Sequence, residues 1–174
     1  RYDSLIKQAK ELSPLPAAIV HPCTAQALRA AVEVRDAGFI EPVLIGPEAA
    51  MRAAAEAAQV PLDGLRIEPA EHAQAAAALA VQWAAQGRVG ALLQGSLRTE
   101  ELLRMVVARS SGLRTGRRIS HVYAMDVPRY SKPLILTDAM VNIAPTLEHK
   151  RDICQNAIDL LHMLGNPEPL VAAL

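Results

Sequence analysis

Aromatic side chains are scarce: the 174 residues include one phenylalanine, one tryptophan and three tyrosines. A protein that stacks unpaired bases on its rings needs more of them. Charge of one sign is missing too, since 18 basic residues face 18 acidic ones. Without a basic excess there is no footprint for a polyanion, so no nucleic-acid partner is expected. Two cysteines, Cys23 and Cys154, are too few for a disulfide framework, and a reducing cytoplasm is the default. No uninterrupted apolar run reaches about eighteen residues, so no membrane helix and no membrane partner are expected. The five histidines are scattered, and none shares a helical ligand spacing with a partner acid, so no metal site is expected. The opening stretch RYDSLIKQAKEL is charged and amphipathic, and does not read as a signal peptide.

What is present is a 51% hydrophobic chain rich in alanine, enough for a core built on small-faced helices. Its pattern alternates strand and helix. Residues 3–12 read as a helix and Pro16–His21 as a buried strand. Thr24 caps a helix running to Ala37, with Gly38 just past its end. Pro42–Ile45 is a strand, and Pro47 takes the first position of the next helix. Leu65–Ile67 is a weak strand. Ala73–Gln86 is a helix closed by Gly87, and Val89–Leu93 is a strand. A helix over 100–109 opens at Thr99. His121–Val127 and Pro133–Thr137 suggest a hairpin around a Pro/Arg/Tyr/Ser turn. Thr146 caps a helix over 147–163 that Gly165 ends, and Pro169–Leu174 begins an apolar run read as an unfinished strand. Repeated βα units with buried apolar strands predict an α/β fold with a largely parallel sheet. A shift near residue 115 suggests a boundary, giving a first domain over 1–118 and the start of a second over 119–174.

The richest stretch is Ala91–Arg118, ALLQGSLRTEELLRMVVARSSGLRTGRR. An apolar run ends at Gly95-Ser96, and a polar turn leads into an amphipathic helix. A phosphate needs several converging donors, some of them charged. Gly95 permits close backbone approach, Ser96 and Thr99 offer hydroxyls, and Arg98 and Arg104 offer charge. Alternatively, Thr99 only caps the helix and the arginines are solvated. Neither a P-loop nor a dinucleotide fingerprint is present, because the lysine and glycine spacings are absent. Arg114, Arg117 and Arg118 follow in a loop, too close together for all three to be neutralised within the chain. They suit a cofactor phosphate, a subunit interface or plain solvation. Asp138 and Asn142, in TDAMVNIAP, follow a strand where α/β sheets place ligand-contacting residues, but both also serve turns well. Cys23, in His21-Pro22-Cys23, precedes a helix N-terminus that lowers a thiol pKa, although an inert cysteine is the simpler reading. Tyr123 and Met125 are most simply core residues.

Four stretches, taken together and in order, resemble the phosphate acetyltransferase/phosphate butyryltransferase family. They are AIVHPCTAQALRAAVEVRDAGFIEPVLIGPEA, ALLQGSLRTEELLRMVV, GLRTGRRISHVYAMDVP and ILTDAMVNIAPTLEHKRDICQNAIDLLHMLG. The branch they are most like is the transferase part of bifunctional enoyl-CoA hydratase/phosphate acetyltransferase. The resemblance implies a three-layer α/β/α fold akin to isocitrate and isopropylmalate dehydrogenases. It implies the reversible reaction acyl-CoA plus inorganic phosphate to acyl phosphate plus CoA, with an acetyl or short-chain acyl group. CoA and phosphate would be substrates, no metal or prosthetic group would be needed, and the protein would be a homodimer or larger.

Carried over residue by residue, the family's phosphate-side turn falls on Gly95, Ser96 and Thr99, with the helix arginine at Arg104. Its glycine-leucine-arginine loop falls on Arg114, Arg117 and Arg118, and its cleft-facing turn on Asp138 and Asn142. Two positions depart: Gln94 stands where the branch often has lysine, and Arg98 where it often has histidine or asparagine. Family members also run well past residue 174. The resemblance therefore implies an N-terminal half, with the first domain whole and the second cut short. No catalytic residue is assigned within it, and the half by itself is expected to be inactive. Similar domains fused to malic enzymes sense acetyl-CoA, which gives a non-catalytic alternative.

Overall fold

The computed structural model describes residues 3–130, 132 and 134–173. Ser131 and Pro133, within the expected hairpin, and Leu174 lie outside the described residues. The chain divides into two compact units, Ala9–Arg114 and the pair Arg1–Gln8 and Thr115–Leu174. The first helix is α1 (Asp3–Lys10).

In the unit Ala9–Arg114, four strands form one parallel sheet: β1 (Leu15–Val20), β2 (Ile40–Gly46), β3 (Arg66–Pro69) and β4 (Ala91–Gln94). The order across the sheet is β3-β2-β1-β4, with Ala18 opposite Val43 and Leu92. The buried strands read as continuous apolar runs because both faces are covered. Ala18, Val20, Val43 and Ile45 pack beneath α4 (Ala73–Ala85) and α5 (Thr99–Val106), meeting Ala76, Ala80, Trp83 and Leu102. The alternate residues Ile19 and Leu44 point the other way. They meet Leu28 and Ala31 of α2 (Ala25–Asp36), and Met51 and Ala55 of α3 (Glu48–Ala58). Two helical layers around a sheet make the expected three-layer α/β/α architecture.

Most helix ends follow the local signals. The Thr24 hydroxyl accepts from the Ala27 N–H, and Gly38 and Gly87 take the left-handed backbone that ends a helix. Two starts shift by one residue. Pro47 is the cap before α3, not its first helical residue. Arg98 caps α5, and Thr99 is already helical. An arginine side chain cannot accept, so here Glu101 closes the turn, taking the Arg98 N–H at 2.9 Å. α5 also ends before residue 109, which instead opens a 3₁₀ turn over Arg109–Ser111.

In the unit that carries Thr115–Leu174, β5 (Tyr123–Met125) and β6 (Leu134–Leu136) pair antiparallel, followed by α6 (Leu147–Met163). The hairpin is as expected, but Tyr123 and Met125 are exposed and are not core residues. A two-stranded ribbon has no second layer on its outer face. Thr146 caps α6 through the His149 N–H, and Gly165 ends it. Residues 169–173 form no strand, contrary to the apolar pattern, and Leu170 and Val171 are exposed. Apolar composition makes a strand only where a neighbour takes up the backbone donors and acceptors.

Candidate functional site

The order β3-β2-β1-β4 reverses direction between β1 and β4. The chain leaves β1 toward α2 on one face and leaves β4 toward α5 on the other. Open α/β sheets bind ligands beyond the carboxyl ends of their strands at such a switch point. The two turns at this point are His21-Pro22-Cys23 and Gly95-Ser96.

They are tied tightly to each other. The His21 carbonyl accepts the Ser96 N–H at 2.9 Å, the Cys23 N–H at 3.0 Å and the Ser96 hydroxyl at 2.6 Å. The Ser96 Oγ in turn accepts the Cys23 N–H at 2.8 Å. A Cβ at Gly95 would stand 2.5 Å from the Val20 carbonyl oxygen, so only glycine permits this approach. Gln94 staples the β4–α5 turn, donating to the Leu97 carbonyl at 2.8 Å and accepting the Thr99 hydroxyl at 2.9 Å. The hydroxyl protons of Ser96 and Thr99 thus hold the turn itself.

Charge around the turn is distributed unevenly. Arg98 lies 3.1 Å from Glu100 and 3.6 Å from Glu101. These two acids already serve the positive end of α5, and the Arg98 backbone N–H beside Glu101 holds its carboxyl below the usual range. Arg104 and Arg114 are exposed and make no hydrogen bond or ion pair among the described residues. Cys23 does not have the activated thiol that its position before α2 suggested: burial pushes its pKa up.

The remaining predicted residues form a second network, within the unit that carries α6. The Asp138 carboxylate accepts the N–H groups of Met140 and Val141 at 3.0 Å, that of Asn142 at 3.2 Å, and the Asn142 side-chain amide. Burial works to raise the Asp138 pKa, but these donors outweigh it and bring it down to about 2. The Asn142 Oδ1 accepts the Arg118 Nε–H at 2.7 Å, and its amide reaches the Ile119 carbonyl at 3.0 Å. Arg117 pairs with Asp159, which lowers the carboxyl pKa there. Asn156 clasps the Arg118 carbonyl at 2.8 Å. Two of the three loop arginines therefore have partners inside the chain. The Arg118 guanidinium is held by the neutral Asn142 amide, and Arg114 makes no hydrogen bond or ion pair among the described residues.

A cavity of about 620 Å³ lies elsewhere, at the amino ends of the strands, lined by Pro16, Ile40, Arg35, Arg66, Trp83 and Arg88. The Arg88 and Arg66 guanidinium carbons stand 3.8 and 5.1 Å from the Trp83 ring centre. Arg35 pairs with Asp36 at 2.8 Å and donates to the Asp63 carbonyl at 2.9 Å, and Arg66 lies 3.4 Å from Glu68, so these two charges already have partners in the protein. No group of three or more metal-ligating side chains occurs among the described residues.

Two residues of the switch point, Gln94 and His21, are not marked as candidates by the sequence pattern. Gln94 carries no charge, and no local pattern marks it as the staple of its turn. For His21 the available signal is its position directly after a buried strand.

Residues 68–174 match the model of the phosphate acetyl/butaryl transferase family, and the chain belongs to that family. It is 46% identical over its whole length to phosphate acetyltransferase of Rhizobium meliloti, covering 55% of that protein. It is 30% identical to phosphate butyryltransferase of Clostridium acetobutylicum over 81% of this chain and 48% of that one. The chain thus spans about half the length of these curated relatives. Its fold is similar to that of a phosphotransacetylase from Streptococcus pyogenes, with a TM-score of 0.74 at 17% identity, over 95% of this chain and 60% of that one. A branched-chain phosphotransacylase from Enterococcus faecalis gives 0.67 at 22% identity, over 87% and 52%.

Proposed function

We propose that this chain is the part of a phosphate acyltransferase that positions phosphate and coenzyme A. A phosphate oxygen attacks the thioester carbonyl of a short-chain acyl-CoA, the carbon–sulfur bond breaks, and the thiolate leaves as CoA. Holding both substrates in one assembly supplies much of the rate. Cations bind the phosphate while leaving one oxygen free to attack.

The observation that carries this reading is the parallel-sheet switch point, built of His21–Cys23 and Gly95–Ser96, in a chain that belongs to this family. Gly95, Ser96, Arg98 and Thr99 shape the turn. Arg104 and Arg114, which make no hydrogen bond or ion pair among the described residues, are the stronger candidates for phosphate. Arg117, Arg118, Asp138 and Asn142 form a rigid second surface for the coenzyme. We further propose that the full protein uses no metal or prosthetic group, works as a homodimer or larger, and resides in the cytoplasm. The free thiols Cys23 and Cys154 support that last assignment.

The test is to assay the natural full-length protein carrying this chain for acetyl phosphate formation from acetyl-CoA and phosphate. Tight CoA binding without turnover would show a sensor, not an enzyme.

A further inference from the structure

His21 stands at the carboxyl end of β1 with a backbone φ of 54°, a left-handed conformation rare for a residue with a side chain. Several contacts enforce it. Its N–H donates to the Ile45 carbonyl at 2.7 Å, and its carbonyl accepts three donors from Cys23 and Ser96. Glycines flank it on both sides. A Cβ on Gly46 would lie 3.3 Å from the His21 Cα, and one on Gly95 would lie 2.7 Å from its carbonyl oxygen. Strain held by so many contacts marks functional sites more often than ordinary turns.

The ring carries a second anomaly. Its Nδ1 is buried and has no hydrogen-bond partner. Unmatched buried nitrogens are uncommon and call for an explanation. The tautomer with its proton on Nε2 leaves a lone pair, not an N–H, facing the interior. The Nε2 makes no hydrogen bond among the described residues, and the residue as a whole is half-buried. The backbone twist holds the ring at the carboxyl end of β1, with its Nδ1 buried and its Nε2 making no hydrogen bond among the described residues.

We propose that the His21 Nε2–H is a substrate-binding donor that takes a phosphate oxygen at the switch point, from inorganic phosphate or from the coenzyme's phosphate groups. The assignment rests on the reading of the chain as part of a phosphate acyltransferase and adds a residue to that site.

The experiment uses the full-length protein with ¹⁵N-labelled histidine. Inorganic phosphate and CoA are titrated separately while the His21 ring nitrogens are followed by NMR. Movement of Nε2 with phosphate alone identifies the free anion as the ligand. Movement with CoA alone identifies the coenzyme. Either supports the assignment, and no movement with either overturns it, whether or not the protein turns over. In parallel, His21→Gly suits the left-handed backbone and removes the ring, while His21→Asn tolerates that backbone and retains a donor. In an active protein, H21G is expected to lose about tenfold or more in kcat/KM with an undiminished melting temperature, and H21N to recover part of the loss. Folded H21G with unchanged kcat/KM would overturn the proposal. Absence of activity in the unsubstituted protein would instead sink the acyltransferase reading, leaving the titration to decide His21.

Discussion

The hydroxyl of Ser96 donates to the carbonyl of His21 at 2.6 Å, across 75 positions of sequence. The bond joins the turn after β1 to the turn after β4, and the same oxygen receives the Cys23 N–H. Ser96→Ala removes the donor and leaves that N–H with only its strained local partner. A loss of about 1–2 kcal/mol in unfolding free energy is expected from denaturant titration. An unchanged midpoint would mean that the two turns are held by their backbone bonds alone.

Gly95→Ala tests the same junction from the steric side. Its new methyl would press against the Val20 and His21 carbonyl oxygens, which are backbone atoms and cannot swing away. The expected destabilisation is about 3 kcal/mol, larger than for Ser96→Ala. A variant as stable as the parent would show that the strand ends separate more easily than this packing implies.

Arg104 and Arg117 make a contrasting pair. Arg104 is exposed and makes no hydrogen bond or ion pair among the described residues, its charge acting only at a distance on Glu101, whereas Arg117 is engaged with Asp159. In the full-length protein, Arg104→Ala is expected to raise the KM for phosphate or lower kcat by about tenfold, with folding stability unchanged. Arg117→Ala should leave the phosphate KM nearly as it was. If Arg104→Ala alters neither constant, its charge is solvated and serves no substrate.

Asp138 gives a pH signature. Its folded-state pKa, lowered to about 2, lies below the ordinary value of 3.8. The ionised form is therefore favoured by folding. Its stabilisation is fully present above pH 3.8 and fades as the pH falls through about 2. Asp138→Asn should flatten this part of the stability curve, measured as the thermal midpoint between pH 2 and 5. A parallel curve for the variant would locate the acid sensitivity elsewhere.

The isolated 174-residue chain is expected to form no acetyl phosphate, because it spans about half the length of its curated relatives. Measurable turnover by this chain would place the whole catalytic apparatus within it.

Local chemistry around the candidate site is legible in the sequence, and its hydrogen-bond partners are not. Gly95 was expected to allow close backbone approach, and the Val20 carbonyl stands where that requires. Thr99 was expected to donate a hydroxyl or to cap α5, and it does the former, but to Gln94. Nothing within the 94–99 window says which acceptor a hydroxyl will choose, because the choice depends on the turn's final curvature. Arg98 likewise looked like a spare cation until the first turn of α5 brought Glu100 and Glu101 beside it. The partners of Arg117 and Arg118 lie 24 to 42 positions away, beyond any local pattern.

The sequence by itself determined the elements: where apolar runs become strands, where alanine-rich helices lie, and where Thr24, Gly38, Gly87, Thr146 and Gly165 bound them. Those choices depend on residues within a turn or two, through hydrogen bonds to neighbouring backbone and the steric freedom of glycine. Only the tertiary structure decided the strand order, the left-handed His21 and which polar groups remain free for a ligand. Each of these depends on which distant backbone arrives alongside, and a buried donor or acceptor takes the nearest partner that packing supplies.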